Sequence, residues 1–381
     1  MNFDAFYDRH QSDSAKYAGQ EGIIPLTVAD TDFPTSKEVL EALKKRLEHP
    51  LFGYVKGDEG WKKALCDFYQ RRFGLSLNPK EVAFSTGVLS AITAFLLAFT
   101  KPGNPVILCS PVYNCFYSCI EHTNRFVKDV PLLKDGSSFS LDYASLEEAF
   151  KNCKAMILCS PHNPVGKGFK KEELKKLFNL ANRYGVLILS DEIHGLVSSP
   201  NKRYIPSLCL EEAHENVIMA ASISKAFNTA GIQAAFVASK NPVLKERIEN
   251  QLGYDDCGEP NAFAQPVLEA AYSKGDSYLD EFNAYIEENK RCVYVFFKDS
   301  PLKVYSNDFT YLLWIDCSSL TYDASSLAPY FKKEGVSLIP GEHYGETGKA
   351  YLRMNVALPR SVLLEALKRM EKALQKYLES K

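Results

Sequence analysis

Lys225 sits in the run Ser222-Ile-Ser-Lys-Ala-Phe-Asn228, downstream of His162-Asn-Pro-Val-Gly166 and Asp191-Glu-Ile-His194. An amine, a carboxylate and an amide are the groups needed to hold an aromatic aldehyde cofactor. The amine forms a Schiff base, the carboxylate keeps a ring nitrogen protonated, and polar groups receive a phenolic oxygen and a phosphate. The set points to pyridoxal phosphate (PLP), with Lys225 as its anchor and as the base for a carbon-bound proton. Most lysines are solvated surface charges. Lys225 instead lies between hydroxyls in a small, apolar stretch, after an acidic residue that closes a strongly apolar run. A dry site or a nearby cation lowers a lysine's pKa, and both roles need that.

The other candidates follow from the same chemistry. Asp191 closes the run Val186-Leu-Ile-Leu-Ser190 and is expected at a strand end, where its carboxylate would pair with the pyridine nitrogen. Asn163, with Pro164 and Gly166 making a tight turn, is placed to donate to the phenolic oxygen. His194 stands three residues after Asp191 and reads equally as a cofactor contact or a packing residue. For the phosphate, Ser85-Thr-Gly-Val88 leads into an apolar helix whose free N–H groups attract an anion. Gly87 would let that anion approach the backbone, Val88 opens the helix, and the hydroxyls of Ser222 and Ser224 would add hydrogen bonds.

These residues need elements to position them. The spacing predicts strands over Val82–Ser85, Pro105–Ser110, Phe126–Val130, Ala155–Ser160, Val186–Ser190, Val217–Ala221 and Ala234–Ala238. It predicts helices over Val88–Thr100, Lys170–Tyr184 and Asn261–Ser273. The alternation argues for an α/β fold built on a largely parallel sheet, which gathers ligands at the carboxyl ends of its strands. Thr35-Ser-Lys-Glu38 reads as a capping box, followed by Val39, Leu40, Leu43 and Leu47 along one helix face. After about Tyr278 the pattern changes to a long helix over Leu279–Phe297. Strands at Tyr311–Ile315, Val336–Ile339 and Tyr351–Val356 follow, then a closing helix near Arg360–Leu378, which suggests a smaller α/β domain.

Composition narrows the function classes. With 46% apolar and 24% charged residues and a net charge of −2, the chain offers no electrostatic reason to expect nucleic acid or an anionic membrane as partner. Ten cysteines are scattered without a Cys-x-x-Cys pair or a Cys/His cluster at zinc spacing, so a reduced, cytoplasmic, metal-free protein is expected. Cys109 and Cys159 end apolar runs and read as packed hydrophobes. The first residues lack the apolar core of a signal peptide.

From about Ile24 to Pro359 the chain resembles the fold-type I PLP enzymes, aminotransferase class I/II. The Asp-Glu-Ile-His ending and the Ser-Lys-x-Phe-Asn run resemble the cystathionine β-lyase, or C–S lyase, branch, which is cystalysin-like. The resemblance implies a seven-stranded large domain over 35–278 and a discontinuous small domain from 1–34 and 279–381. It implies that Tyr113 stacks on the cofactor ring and that Tyr54 reaches the phosphate of a neighbouring subunit, so that a homodimer shares its active sites. Arg353, in Leu352-Arg-Met-Asn355, would clamp a substrate α-carboxylate, and the segment carrying Asp30 would line the site. Two positions depart from the pattern: Asn114 stands where relatives often carry an aromatic or His, and Gln233 where many aminotransferases place a phosphate-binding Arg. The activity implied is cleavage of cystathionine or related S-substituted cysteines to thiol, pyruvate and ammonia. An aminotransferase and a PLP-fold regulatory binding protein are the other readings.

Overall fold

The computed structural model describes residues 1–57 and 59–381. Seven strands form the main sheet: β1 (Val82–Ser85), β2 (Pro105–Leu108), β3 (Phe126–Asp129), β4 (Ala155–Cys159), β5 (Leu187–Asp191), β6 (Val217–Ala221) and β7 (Ala235–Ala238). Their spatial order is β1-β7-β6-β5-β4-β2-β3. The pairs from β6 through β3 are parallel, whereas β7 runs antiparallel to both β1 and β6.

The period-two rule explains why the interior strands are almost wholly apolar, whereas the edge strand β3, Phe126-Val-Lys-Asp129, is largely exposed. In β4, Ala155, Ile157 and Cys159 enter one core while Met156 and Leu158 enter the other. A sheet buried on both faces has no position for a polar alternation. The helix Val88–Phe99 shows the same logic, since it covers one face and buries Ala91, Ile92, Ala94, Phe95 and Leu96.

Register brings chemistry to one edge. Cys159 pairs with Asp191, Asp191 with Ala220, Phe236 with Ala221 and Ala235 with Ser85. The carboxyl ends of β1, β4, β5 and β6 therefore meet the amino end of β7. The loops leaving that edge carry Thr86, Asn163, Ser222 and Ala234.

A second sheet contains β8 (Lys303–Val304), β9 (Leu312–Asp316), β10 (Ile339–Pro340) and β11 (Tyr351–Asn355), in the order β8-β9-β11-β10 and antiparallel throughout. The helices Asp276–Phe296 and Arg360–Glu379 flank it. The N-terminal strand Ile24–Pro25 pairs in parallel with Val336–Ser337.

Three local expectations change. The helix Lys37–Leu47 is capped by Ser36, whose hydroxyl accepts the Val39 N–H, so Thr35 and Glu38 do not form a capping box. Val39 is buried and Leu43 packs partly, but Leu40 and Leu47 face outward, because only one side of this helix meets the helix Ala264–Lys274. The segment expected as one strand over Val336–Ile339 divides at Leu338, its first half pairing with Ile24–Pro25 and its second with β11. Asn261 does not open a helix: its carboxamide oxygen accepts the N–H groups of Phe263 and Ala264, and the helix begins at Ala264.

Candidate active site

A cavity of about 220 Å³ opens at the carboxyl edge of the main sheet, lined by Gly87, Val88, Tyr113, Asn163, Asp191, His194, Ser222, Ser224 and Lys225. A larger hollow of about 770 Å³ lies between the helices Lys37–Leu47 and Ala264–Lys274. Its lining includes Glu38, Glu41, Lys45 and Glu269, none of them buried. Chemistry needs buried, convergent groups, so the smaller cavity is the candidate.

Lys225 lies in the short helix Ser224–Phe227 that follows β6, and its Nζ donates to the carbonyl of Ala29 at 2.7 Å. Burial pushes the amine below its ordinary range. Asp30 and Asp191 pull it back up, and Arg353 adds to the depression. Asp191 ends β5, 3% exposed, and its Oδ1 accepts the Ile193 N–H at 3.0 Å. Burial raises its carboxyl to about 7, against the Ile193 bond and the charge of Lys225. Such a carboxylate is poised to take a cationic partner.

The loop after β4 places Asn163. Gly166 closes that turn at φ +68°, its N–H bonded to the His162 carbonyl, and an added Cβ would collide with Asn307 Nδ2 at 2.1 Å. Asn163 Oδ1 faces Arg353 Nη1 at 3.3 Å, which leaves its amide NH₂ free to donate. His162 is buried between the carbonyls of Pro111 and Cys159, and burial lowers its pKa to about 4. His194 is buried, its Nδ1 without a partner among the described residues, and burial holds it well below its usual value, helped by Lys225 and Arg353. It is therefore a neutral imidazole at physiological pH.

The helix Val88–Phe99 starts at Gly87 with no side-chain cap, so its N-terminal N–H groups remain available for an anion. Gly87 is extended at φ −171°, and a Cβ there would meet only Ser90 Oγ at 3.8 Å. The glycine is not demanded by backbone strain. The two serines divide: the Ser222 hydroxyl donates to the Ala234 carbonyl and accepts the Ser224 N–H, while no partner in the described chain engages the Ser224 hydroxyl.

Arg353 comes from β11 in the second sheet. It is 2% exposed, and its Nη2 donates to the Thr27 carbonyl at 2.6 Å. Its Nε has no partner and no carboxylate pairs with it among the described residues. An unpaired buried guanidinium is costly unless an anion arrives to complete it. Tyr113 lines the cavity with its ring edge-on to Phe116 at 5.6 Å.

Two expected contributors do not line the cavity of this chain, which for Tyr54 is what a role in a neighbouring subunit requires. The Asp30 carboxylate turns to Arg9 at 2.9 Å and lies 3.8 Å from Lys16, because these cations anchor the N-terminal segment through Asp30 and Asp32. What that segment offers Lys225 is the Ala29 carbonyl. Tyr54 is fully exposed and outside the cavity of its own chain. Sequence reasoning missed Ala29, since a backbone carbonyl has no side-chain signature. It also read Cys159 only as packing, although Cys159 lines the cavity beside Asp191 and its Sγ accepts the Asn163 N–H.

The polar groups left open fit PLP. A buried carboxylate, an amine and an amide donor line one cavity with an uncapped helix N-terminus that is open to an anion. Among the described residues no cluster of three or more His, Cys, Asp or Glu could hold a metal ion, and no helix is long and apolar enough to cross a membrane.

Comparisons with known proteins agree. The model of the family Aminotransferase class I and II matches residues 21–370. Cystathionine beta-lyase PatB of Bacillus subtilis (strain 168) is 34% identical over 386 residues, covering 98% of this chain and 100% of that protein. The crystal structure of cystalysin from Treponema denticola, which contains pyridoxal 5'-phosphate, superposes with a TM-score of 0.94 at 30% identity, covering 98% of this chain and 99% of the other. A PLP-bound putative aminotransferase from Clostridium difficile 630 superposes equally well, with a TM-score of 0.94 at 32% identity and the same coverage.

Proposed function

The chain belongs to the aminotransferase class I and II family, and from that premise we propose that it is a PLP-dependent carbon–sulfur β-lyase. It cleaves cystathionine or related S-substituted cysteines to a thiol, pyruvate and ammonia. The observation that carries an amino-acid substrate is Arg353, a buried guanidinium without a counter-anion among the described residues, bonded to Asn163 of the cavity lining. The choice of elimination over amino-group exchange rests on likeness to the cystathionine beta-lyase of Bacillus subtilis and to cystalysin. It is supported by the neutral Gln233, which lines the cavity where an aminotransferase places an Arg. Amino-group exchange remains the second reading, favoured by the likeness to the Clostridium difficile protein.

Lys225 would hold the cofactor, Asp191 its ring nitrogen, Asn163 its phenolic oxygen, and the Gly87–Val88 turn with Ser224 its phosphate. PLP, when bound, supplies the electron sink for a carbon that loses a proton. The rest falls to the chain. Arg353 grips the substrate carboxylate in two parallel hydrogen bonds and so sets which bond of the α-carbon stands perpendicular to the ring plane. Lys225 Nζ, its basicity lowered by burial, takes the α-proton and parks beside the Ala29 carbonyl. His194 lines the same cavity, where burial disfavours its charged form.

We also assign the two domains to 35–278 and to 1–34 with 279–381, supported by the pairing of Ile24–Pro25 with Val336–Ser337. The assembly is a cytoplasmic homodimer with shared active sites. Its support is Tyr54, fully exposed beside Leu51 at 69% and Phe52 at 51% exposure, an apolar stretch that a second copy would cover.

One experiment separates the reactions. Purified holoenzyme is given cystathionine, cysteine and S-alkyl cysteines without a keto acid, and pyruvate and thiol are measured. Borohydride reduction and peptide mapping on the same sample should place the cofactor on Lys225. Pyruvate with released thiol supports the lyase. No pyruvate from any of them, with rapid amino-group exchange when a keto acid is added, overturns it.

A further inference from the structure

Tyr344 belongs to the 3-10 turn Gly341–Tyr344 of the second sheet's side, 1% exposed, and no step above uses it. Its position is unusual because it meets both halves of the site. The guanidinium carbon of Arg353 lies over the Tyr344 ring at 5.1 Å from its centroid. Trp314, the cross-strand partner of Arg353, meets the same ring edge-on at 5.5 Å. On its other side the Tyr344 carbonyl accepts the Val112 N–H at 2.8 Å and the Tyr117 hydroxyl at 3.3 Å. Val112 and Tyr117 bracket Tyr113.

The neighbouring residues make this contact rigid. Gly345 has φ +115°, and a Cβ there would press the Tyr117 hydroxyl at 2.7 Å and Ser110 Cβ at 3.1 Å. Thr347 donates to the Ser110 hydroxyl at 3.2 Å. The turn therefore clasps the segment from Ser110 to Tyr117 at several points.

A guanidinium bound to only one carbonyl and one amide can rotate about its stem. Nη2 is held by Thr27 and Nη1 by Asn163, and Nε has no partner among the described residues. An aromatic face beneath the plane resists that rotation through cation–π attraction and contact. From these observations we propose that Tyr344 is the positioning residue for the carboxylate clamp. Its ring sets the Arg353 plane, and its carbonyl ties that plane to the Tyr113 segment. One residue thereby keeps the substrate carboxylate in register with the aromatic wall, Tyr113, that would carry the cofactor ring. The inference rests on the reading of Arg353 as the carboxylate clamp and does not depend on which bond is then cleaved.

The test uses holoenzyme and equilibrium binding as well as turnover. Calorimetry compares 3-mercaptopropionate with its primary amide on wild type, Tyr344→Leu and Tyr344→Phe. Loss of the aromatic face should weaken the carboxylate about tenfold and leave the amide within about twofold. In steady state, Tyr344→Leu should raise KM about tenfold with kcat lowered no more than about threefold. Tyr344→Phe keeps the ring and should restore both to near wild type. Equal weakening of acid and amide in Tyr344→Leu would mean a general structural defect and overturn the proposal, as would unchanged carboxylate binding. If Arg353→Ala leaves carboxylate binding intact, the clamp reading itself fails, and that result is distinct from either outcome at Tyr344. A Tyr344→Leu protein that does not fold transfers the decision to Tyr344→Met, which removes the aromatic face but fills the space with an unbranched, adaptable side chain.

Discussion

Replacing Asp191 with Asn separates the cost of a buried carboxylate from its use. Burial lifts this carboxyl from 3.8 to about 7, opposed by the Ile193 N–H and by Lys225. At about 1.36 kcal/mol per pH unit, a rise of about three units puts an upper bound of about 4 kcal/mol on ionising Asp191 in the cofactor-free protein. The sign follows from linkage. Because the folded pKa is raised, the residue's contribution is full below the unfolded value near 4 and is lost as pH climbs towards 7. Asn carries no such charge. Cofactor-free Asp191→Asn should therefore gain on cofactor-free wild type by about 1–4 kcal/mol as pH rises from about 4 to 8, most of the climb falling below about pH 7. Glu192, which burial also lifts to about 7, is present in both proteins and largely cancels. Urea unfolding at a series of pH values measures the difference. With PLP bound the order reverses. The protonated ring nitrogen would pair with an ionised Asp191 but not with Asn, so PLP affinity should fall about a hundredfold or more. A stability difference that is flat across this pH range, or equal PLP affinities, would refute the reasoning.

Two further outcomes are expected. Arg353→Lys keeps the charge but not the fork, and losing one charge-assisted hydrogen bond of about 1.5–3 kcal/mol should lower kcat/KM by about 10- to 100-fold. PLP content, read by absorbance, should not change, and a parallel loss of cofactor would place Arg353 in cofactor binding instead. Tyr54→Phe should weaken PLP retention by about tenfold through the lost phosphate hydrogen bond, with the melting temperature of the cofactor-free protein unchanged. Sedimentation should find a dimer, and a fully active monomer at high dilution would contradict the shared site.

The main sheet and half of the site were legible because their signals are local. An apolar run closed by Asp191, a turn carrying Asn163, and Lys225 between two serines each place one chemical group at a strand end, and parallel strands bring those ends to one edge. The same locality misled at Thr35, where Ser36 takes the cap one position later. It also misled at Val336–Ile339, where a single β-rich run serves two sheets.

What the sequence determined by itself is the chemistry of one cavity wall: the identity of its amine, its carboxylate and its amide, and the covered sheet that presents them. Residue type and period are enough for that, since each group needs only its own segment to be a strand or a turn. Tertiary structure alone decided what surrounds them. Among the described residues Arg353 has no carboxylate partner, because β11 comes to rest against Thr27 and Asn163 and not against an acid. Asp30 is drawn off by Arg9 and Lys16, so the Ala29 carbonyl is left to face Lys225. The Tyr344 ring lies under a guanidinium from the next strand. These contacts join residues as far apart as Thr27 and Arg353, and whether a charge is satisfied or left open depends on the whole three-dimensional neighbourhood, which no short run of sequence contains.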